Sequence, residues 1–325
     1  MHPIKLIKEK RKTHVLKPPA FGCFRRLPAV NITRGCAHSC VYCYARGFSD
    51  APPKGKVHLY ENLPELLERE LERKAKRGRF PEWVTFSTAS DAFQGIDEVM
   101  DITYSAMKML LERGIGISFL TKGVVPRETI DLLRKYPTKV KARIGVVSFS
   151  EDYRRLFEPF SAPVIRRLAV LHELIEAGID VSVRIDPIIP KVSGSEEWAE
   201  HLIKRLKVAG VKNISISHLV MRLSIMNHLM KELPVKLARD LLRLYDGQPW
   251  QRVITSARTR LLPKELRLSQ YNMIKDISKR YGVECYICGC KNPDLPWEFC
   301  NPWVEKEVSP QLCLFERELP CVLES

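Results

Sequence analysis

From about Pro28 onward the chain repeats one unit, a short apolar strand, a turn and an amphipathic helix, and nothing else in it narrows the possible folds as far. Strands are read at residues 29–33, 83–87, 116–120, 142–149, 181–185 and 213–217, all β-branched or aromatic runs too short for helices. Helical spacing lies between them. Leu63, Leu67 and Leu71 form one stripe behind Asn62 as cap, and Val99, Ile102, Ala106 and Leu110 form a second. Ile165, Leu168 and Ile175 form a third, leading to Gly178 as a stop, and Trp198, Leu202 and Leu206 a fourth. Parallel strands need crossover connections, so six such units in series predict an α/β fold with a parallel sheet wrapped by helices. Six are too few to close an eight-fold barrel. The expectation is an open, partial (βα)6 TIM-like barrel, with a doubly wound sheet as the competing architecture.

The rhythm occupies residues 28–222. Residues 1–27 form a basic extension before it, and residues 223–325 a helical and Cys-rich region after it. Two helices are predicted there, at 234–246 before Gly247 and at 263–281 before Gly282, each with proline in its first turn and glycine just past its end.

Charge comes in next, because it limits the partners. The formal charge is +15, and the N-terminal stretch sets Lys5, Lys8, Lys10, Arg11, Lys12, Lys17, Arg25 and Arg26 against the single acid Glu9. A second basic region holds Arg252, Arg258, Arg260, Lys264 and Arg267. Such an excess attracts polyanions, of which nucleic acid is the commonest; a merely solvated surface is the alternative. No stretch approaches a membrane span, and the start lacks the apolar run of a signal peptide, so a cytoplasmic protein with no membrane partner is expected. In that reducing compartment the ten cysteines are read as metal ligands rather than disulfides.

Three of them lie at once after the first strand, in Arg34-Gly35-Cys36-Ala37-His38-Ser39-Cys40-Val41-Tyr42-Cys43. Thiolates at Cys-x3-Cys-x2-Cys spacing converge on a soft metal centre, and three local ligands leave one iron of a cubane open. A zinc site completed by His38 or a distant cysteine is the alternative.

That spacing, on the loop after the first strand of a (βα)6-like series, resembles the signature of the radical S-adenosylmethionine (SAM) superfamily. The order of further motifs is similar to its spore-photoproduct-lyase-like branch, often labelled DNA repair photolyase-like. The matching pieces are Asn31-Ile32-Thr33-Arg34-Gly35-Cys36, Phe86-Ser87-Thr88-Ala89-Ser90-Asp91-Ala92-Phe93-Gln94, Leu120-Thr121-Lys122-Gly123, Phe157-Glu158-Pro159 and Arg184-Ile185-Asp186-Pro187-Ile188-Ile189-Pro190. The resemblance implies a [4Fe–4S] cluster on Cys36, Cys40 and Cys43, with SAM on the open iron. It implies reductive cleavage of SAM to methionine and a 5′-deoxyadenosyl radical, fed by a reductase or ferredoxin. Tyr42 would pack near the adenine of SAM.

Ligands of parallel barrels bind at the C-terminal ends of the strands, which singles out further residues. Ser87 and Thr88 would face the methionyl part of SAM, Lys122 its carboxylate, and Ser148 or Ser150 its ribose or carboxylate. Asp91 and Arg184 are further candidate SAM contacts, Asp186 ends the same strand as Arg184, and Glu158 supports the fold or binds substrate. Helix capping by the serines and a structural Arg–Asp pair are the alternatives.

The tail carries Cys285, Cys288, Cys290 and Cys300, close enough in sequence for a second Fe–S cluster or a structural zinc, with Cys313 and Cys321 beyond. Cys23 or a tail thiol is a candidate hydrogen-atom donor. Gln311-Leu312-Cys313-Leu314-Phe315 looks like the motif that docks DNA-metabolism proteins onto the sliding clamp; a packed terminal strand is the competing reading. The expected function is radical chemistry, of lyase or transferase type, on nucleic acid: DNA lesion repair or RNA base modification. Radical modification of a peptide or small metabolite is the nearest alternative. A non-catalytic Fe–S or zinc nucleic-acid-binding protein is the competitor from another class.

Overall fold

The sheet is built as the rhythm predicts, with one strand more. A computed structural model describes residues 4–19, 24, 27–253 and 257–295. Cys23, Arg25, Arg26, Cys300, Cys313, Cys321 and the clamp-like motif lie outside these residues. In chain order the elements begin with β1 (Lys5–Glu9), β2 (Ala29–Val30), β3 (Thr33–Arg34), β4 (Lys56–Tyr60), α1 (Leu63–Ala75), β5 (Trp83–Phe86) and α2 (Asp97–Leu111). Next come β6 (Gly116–Thr121), α3 (Arg127–Arg134), β7 (Val140–Gly145), α4 (Glu151–Phe157), α5 (Val164–Glu176), β8 (Asp180–Ile188), α6 (Glu196–Val208) and β9 (Asn213–His218). The last are α7 (Leu223–Glu232), α8 (Val235–Arg243), β10 (Gln251–Arg252), β11 (Arg258–Thr259), α9 (Lys264–Arg280) and β12 (Glu284–Ile287).

Seven strands make one parallel sheet in the order β12-β9-β8-β7-β6-β5-β2, sequential from edge to edge, which excludes the doubly wound alternative. The seventh strand corrects the expectation of six. It comes from the region placed outside the barrel, where Glu284–Ile287 pairs in parallel with β9. Its four residues are too few to show a period, and the cysteine spacing masked them.

Alternation along the strands divides the sheet into two faces. Val84, Phe86, Ile117, Phe119, Ala142, Ile144, Val183, Ile185, Ile214 and Ile216 join the main core with Leu67, Leu71, Leu110, Leu171, Leu202 and Leu206 of the covering helices. The intervening positions hold Thr85, Ser87, Ser118, Arg143, Ser182, Arg184, Ser215 and Ser217, all buried. A buried face of hydroxyls and guanidinium groups cannot be a hydrophobic core; it suits a polar occupant.

Three local expectations are corrected. The first predicted strand splits: Ala29 and Val30 pair with β5, whereas Thr33 and Arg34 pair antiparallel with β4 in a separate three-stranded sheet with β1. Asn62 stands at the N-cap position of α1, but its side chain makes no capping bond; it accepts from Arg11 N–H (2.8 Å) and donates to Arg11 C=O (3.2 Å), fixing the N-terminal arm. The stripe on α5 is also shifted, since Ile165 is 66% exposed and Val164, Arg167, Leu171 and Leu174 face inward. An arginine at the centre of that face hid it from a search for apolar spacing.

The basic arm is part of the fold. β1 pairs in parallel with β4, and buried Glu70 of α1 accepts from Val15 N–H (2.6 Å) and Leu16 N–H (3.0 Å). No helix among the described residues is long and apolar enough to cross a membrane.

Strand β9 is tied to α9 through His218, whose Nε2 donates to Gln270 Oε1 (2.6 Å) while Gln270 Nε2 donates to Gly194 C=O (3.0 Å). Burial, with a lesser push from Arg267, brings the His218 pKa down to about 4 from an ordinary 6.5, against the hydrogen bond to Gln270. A depressed folded-state pKa means stability that is complete above about 6.5 and lost as pH falls towards 4. Urea titrations across that window should show the loss at up to about 1.4 kcal/mol per pH unit. His218→Gln should flatten the slope; an unchanged slope would assign the acid sensitivity elsewhere.

Candidate active site

The cysteine loop leaves β3 through Gly35, whose φ of +80° is a left-handed turn with Pro52 packed where a Cβ would stand. Ser39, between the first two cysteines, also adopts positive φ (+49°). Buried partners hold each part of the loop. Ala37 N–H donates to Gln94 Oε1 (2.7 Å), and Gln94 Nε2 donates to Thr33 Oγ1 (3.0 Å) and Asp91 C=O (2.8 Å). Arg46 donates to Cys40 C=O (3.2 Å).

The three thiols lie within electrostatic reach of one another. Burial first, then Asp91, raises the Cys36 pKa well above its ordinary value. Burial and then Glu158 push Cys40 up to about 12, with Lys122 pulling the other way. Proton loss from Cys36 and Cys40 is therefore favoured by the compensating charge of a bound metal centre.

Zinc completed by His38 does not fit. His38 Nδ1 is 3.2 Å from Phe160 C=O, and its Nε2 lies 3.2 Å from Asp91 Oδ2 without hydrogen-bond geometry, so a carbonyl and a carboxylate face the two ring nitrogens. Among the described residues no three Cys, His, Asp or Glu side chains converge as the ligand set of one ion. A cubane makes a different demand, because each thiolate binds its own iron, and three thiols spread along one short loop meet it.

The strand ends supply what lies beside the loop. Ser87, at the end of β5, has φ +57°, and Ser87 Oγ and Ser90 Oγ are buried with no hydrogen-bond partner among the described residues. Two orphaned hydroxyls at the mouth of a polar sheet face are what a bound polar ligand would satisfy. Thr88 gives its carbonyl to Tyr44 OH and its hydroxyl to Asn31 Nδ2 (3.4 Å). Lys122, past β6, places its ammonium 5.7 Å from the Tyr42 ring centroid. Gly145 makes room for it, since a Cβ there would stand 2.8 Å from Lys122 Cγ and 3.1 Å from Nζ.

Other candidates turn toward the scaffold. Asp91 Oδ1 accepts from Phe93 N–H (2.9 Å) and Thr121 Oγ1 (2.7 Å), and Oδ2 accepts from Lys122 N–H (2.9 Å) beside His38. Burial raises the Asp91 pKa, but His38 and these N–H donors outweigh it and bring it down to about 2. A carboxylate so filled is a structural hub rather than a ligand contact. Ser148 Oγ accepts from Ser150 N–H (3.0 Å), and Ser150 caps α4 by accepting from Tyr153 N–H (3.2 Å). Arg184 pairs with Asp186 at 2.8 Å, which also binds Lys291 at 2.7 Å. Glu158 is 1% exposed; it accepts from the Tyr42 hydroxyl and pairs with fully buried Arg167 at 2.6 Å.

Lys291, Arg167, Gly145 and Arg222 were not legible as site residues. Lys291 stands just past Cys290 and bonds across to β8, and Arg222 lies over the Tyr44 ring at 5.3 Å. Of the tail cysteines, Cys285 lies on β12 and packs against the main core, Cys288 is buried, and Cys290 sits in a 3-10 turn.

A parallel α/β sheet with a three-cysteine loop after its first strand, beside a lysine and unsatisfied hydroxyls, defines a cluster-dependent enzyme class. The radical SAM superfamily model matches residues 30–203, and the chain belongs to that superfamily. Spore photoproduct lyase complexed with dinucleoside spore photoproduct shares its fold, with a TM-score of 0.69 at 19% identity over 87% of this chain and 82% of that one. A form of that lyase with bound AdoMet and the same dinucleoside gives 0.66 at 18%, over 87% and 81%. In sequence, an uncharacterized protein of Methanocaldococcus jannaschii is 30% identical over 165 residues, 50% of this chain and 60% of that protein. An uncharacterized protein of Mycobacterium tuberculosis is 28% identical over 203 residues, 59% of this chain and 58% of that protein. The chain thus spans less than two thirds of these relatives. A radical SAM Nα-GlyT isomerase of a Pseudomonas phage is 24% identical over 182 residues, 56% of this chain and 37% of that protein.

Membership implies a [4Fe–4S] cluster and SAM, and the residues fit both. Cys36, Cys40 and Cys43 would hold the cluster; Lys122 and the hydroxyls of Ser87 and Ser90 would receive SAM. Gly145→Ala should displace Lys122 and raise KM for SAM at least tenfold with kcat less affected, read by initial rates of SAM cleavage in the reconstituted protein. An unchanged KM would remove Lys122 from SAM binding. Cys40→Ala should abolish reductive cleavage altogether.

Proposed function

We propose that this chain cleaves SAM reductively and directs the resulting radical at a nucleic-acid substrate, a DNA lesion or an RNA base. The observation that carries the reading is the fold shared with spore photoproduct lyase across 87% of the chain, joined to an exposed row of lysines on the arm that leads to the cysteine loop. The phage relative, an isomerase of the same superfamily, supports radical chemistry beyond lesion repair. The bound cluster and SAM supply a carbon-centred radical. The chain's own residues do the rest: Lys122 offers its cation to a carboxylate, the serine hydroxyls orient the methionyl end, and the buried loop excludes water and oxidant.

The basic arm divides by residue type. Lys5, Lys8, Lys10, Lys12 and Lys17 are exposed, whereas Arg11 folds back onto His14 C=O (2.7 Å) and lies over the Tyr60 ring. In the second basic region Arg252, Arg258 and Lys264 are exposed, Arg260 lies over Trp250, and Arg267 is buried against Asp294 and Asn292. The lysines are therefore the phosphate contacts, and Arg11 and Arg267, counted as basic surface from sequence, are structural. Cys285, Cys288 and Cys290 would supply ligands to a second centre in this reading, each thiolate to its own iron, since among the described residues no three such side chains converge on one ion; Cys300 lies outside the described residues. About eight irons per chain would identify a second cubane, and about four with one zinc a structural site.

The decisive experiment reconstitutes the full chain anaerobically, adds dithionite and SAM, and measures 5′-deoxyadenosine with and without ultraviolet-irradiated DNA or cellular RNA. Stimulation by one nucleic acid is expected. Binding should weaken steeply with salt, and replacing Lys5, Lys8, Lys10 and Lys12 with serine should lower the log–log salt slope by about 3 to 4. Cleavage without stimulation or affinity at physiological salt would favour a peptide or metabolite substrate. Tight, salt-dependent binding without 5′-deoxyadenosine would favour a binding protein.

A further inference from the structure

Two buried carboxylates contact the cysteine loop, each tied to one of its two inter-cysteine segments. Between Cys36 and Cys40, the ring of His38 is 3.2 Å from Asp91 Oδ2, and both groups are buried. Between Cys40 and Cys43, the Tyr42 hydroxyl donates to Glu158, which is equally buried. Each carboxylate is anchored from behind. Asp91 takes N–H and hydroxyl donors from Phe93, Thr121 and Lys122. Glu158 takes Arg167, whose other donors reach Gly145 C=O (2.7 Å) and Ala162 C=O (2.8 Å). Asp91 acts on Cys36 and Glu158 on Cys40, in both cases as the strongest influence after burial; Lys122 opposes Glu158 at Cys40, and Arg167 does so less.

We propose that Asp91 and Glu158 are paired positioning residues that hold the two inter-cysteine segments through His38 and Tyr42 and keep anionic charge beside the cluster, lowering its reduction potential. The chemistry follows from the cluster's own electron count. Adding an electron to a cluster already flanked by fixed negative charge is disfavoured, so the reduced form is a stronger donor. A strong donor is what one-electron cleavage of a sulfonium requires. The inference rests on superfamily membership alone and does not depend on the nucleic-acid reading.

The test is a potentiometric titration of the reconstituted full chain, followed by the electron paramagnetic resonance of the reduced cluster, with iron content measured in parallel. Asp91→Asn and Glu158→Gln each keep a hydrogen-bond acceptor and remove a charge. At the wild-type midpoint each should hold a reduced-to-oxidised ratio at least tenfold higher, a shift of about 59 mV for one electron. Tyr42→Phe removes the tether and leaves the charge; its midpoint should stay within threefold of wild type in the same ratio while its spectrum broadens. The double variant E158Q/R167M, which strands no buried charge, should shift upward by less than Glu158→Gln, and with Asp91→Asn it keeps the test alive if Glu158→Gln does not fold. Wild-type midpoints in fully loaded Asp91→Asn and E158Q/R167M would overturn the proposal. So would a Tyr42→Phe shift as large as that of Glu158→Gln, which would make the tether, not the charge, the determinant.

Discussion

The site depends on holding three thiols on a short loop that has no regular structure of its own. A loop with left-handed residues at Gly35 and Ser39 does not stay in place by backbone pairing alone. The protein holds it with buried polar groups that reach it from different strand ends. Asp91 and Gln94 come from beyond β5, Glu158 from beyond α4, and Arg167 from α5. Removing one partner from a pair as deeply buried as Glu158 and Arg167 costs about 3 to 5 kcal/mol, since the other charge is left unpaired. These groups therefore bind the cofactor loop to the stability of the whole sheet.

Much of the fold was legible because its periodicities are clean. Alternation gave the strands, spacing gave the helices, and Gly178 and Gly282 end up at positive φ just past α5 and α9 as their places in the chain suggest, whereas α8 stops at Arg243, short of Gly247. What stayed hidden has physical causes. Strand β12 is too short to show a period, and its cysteines drew the reading toward metal binding. Arg167 occupies the middle of the buried face of α5, so a search for apolar spacing settled on Ile165 instead. Asn62 has the right residue type for a cap, but its amide found a better partner in the Arg11 backbone, which local sequence cannot reveal.

The site was legible in outline and not in role. The cysteine spacing and the strand-end positions of Ser87, Lys122, Arg184 and Asp91 follow from the sequence. Which of them face a ligand depends on what else is near. Asp91 has four partners within 3.2 Å and Arg184 has Asp186, whereas Ser87 Oγ has none among the described residues. One signal was available for Asp91: Gln94 follows three residues later in the same motif, donates to Asp91 C=O and itself binds Ala37 and Thr33.

The same distinction governs the charge. An excess of +15 suggests a polyanion, but guanidinium and ammonium groups are used differently here. Arg11, Arg34, Arg167, Arg184 and Arg267 each bind backbone carbonyls or carboxylates within the fold. The planar fork of arginine suits such fixed, multidentate partners, while the compact and strongly hydrated ammonium of lysine favours exposure. Subtracting the arginines committed to the fold leaves the arm lysines among the exposed cations. Lys5 and Lys8 sit on β1, which the small sheet joins through β4 to β3 and the cysteine loop, and Lys10, Lys12 and Lys17 follow it. Under the proposed reading, a polyanion held by those lysines would lie on the sheet that leads into the cysteine loop, which is how charge far from any reacting atom would bear on which substrate arrives.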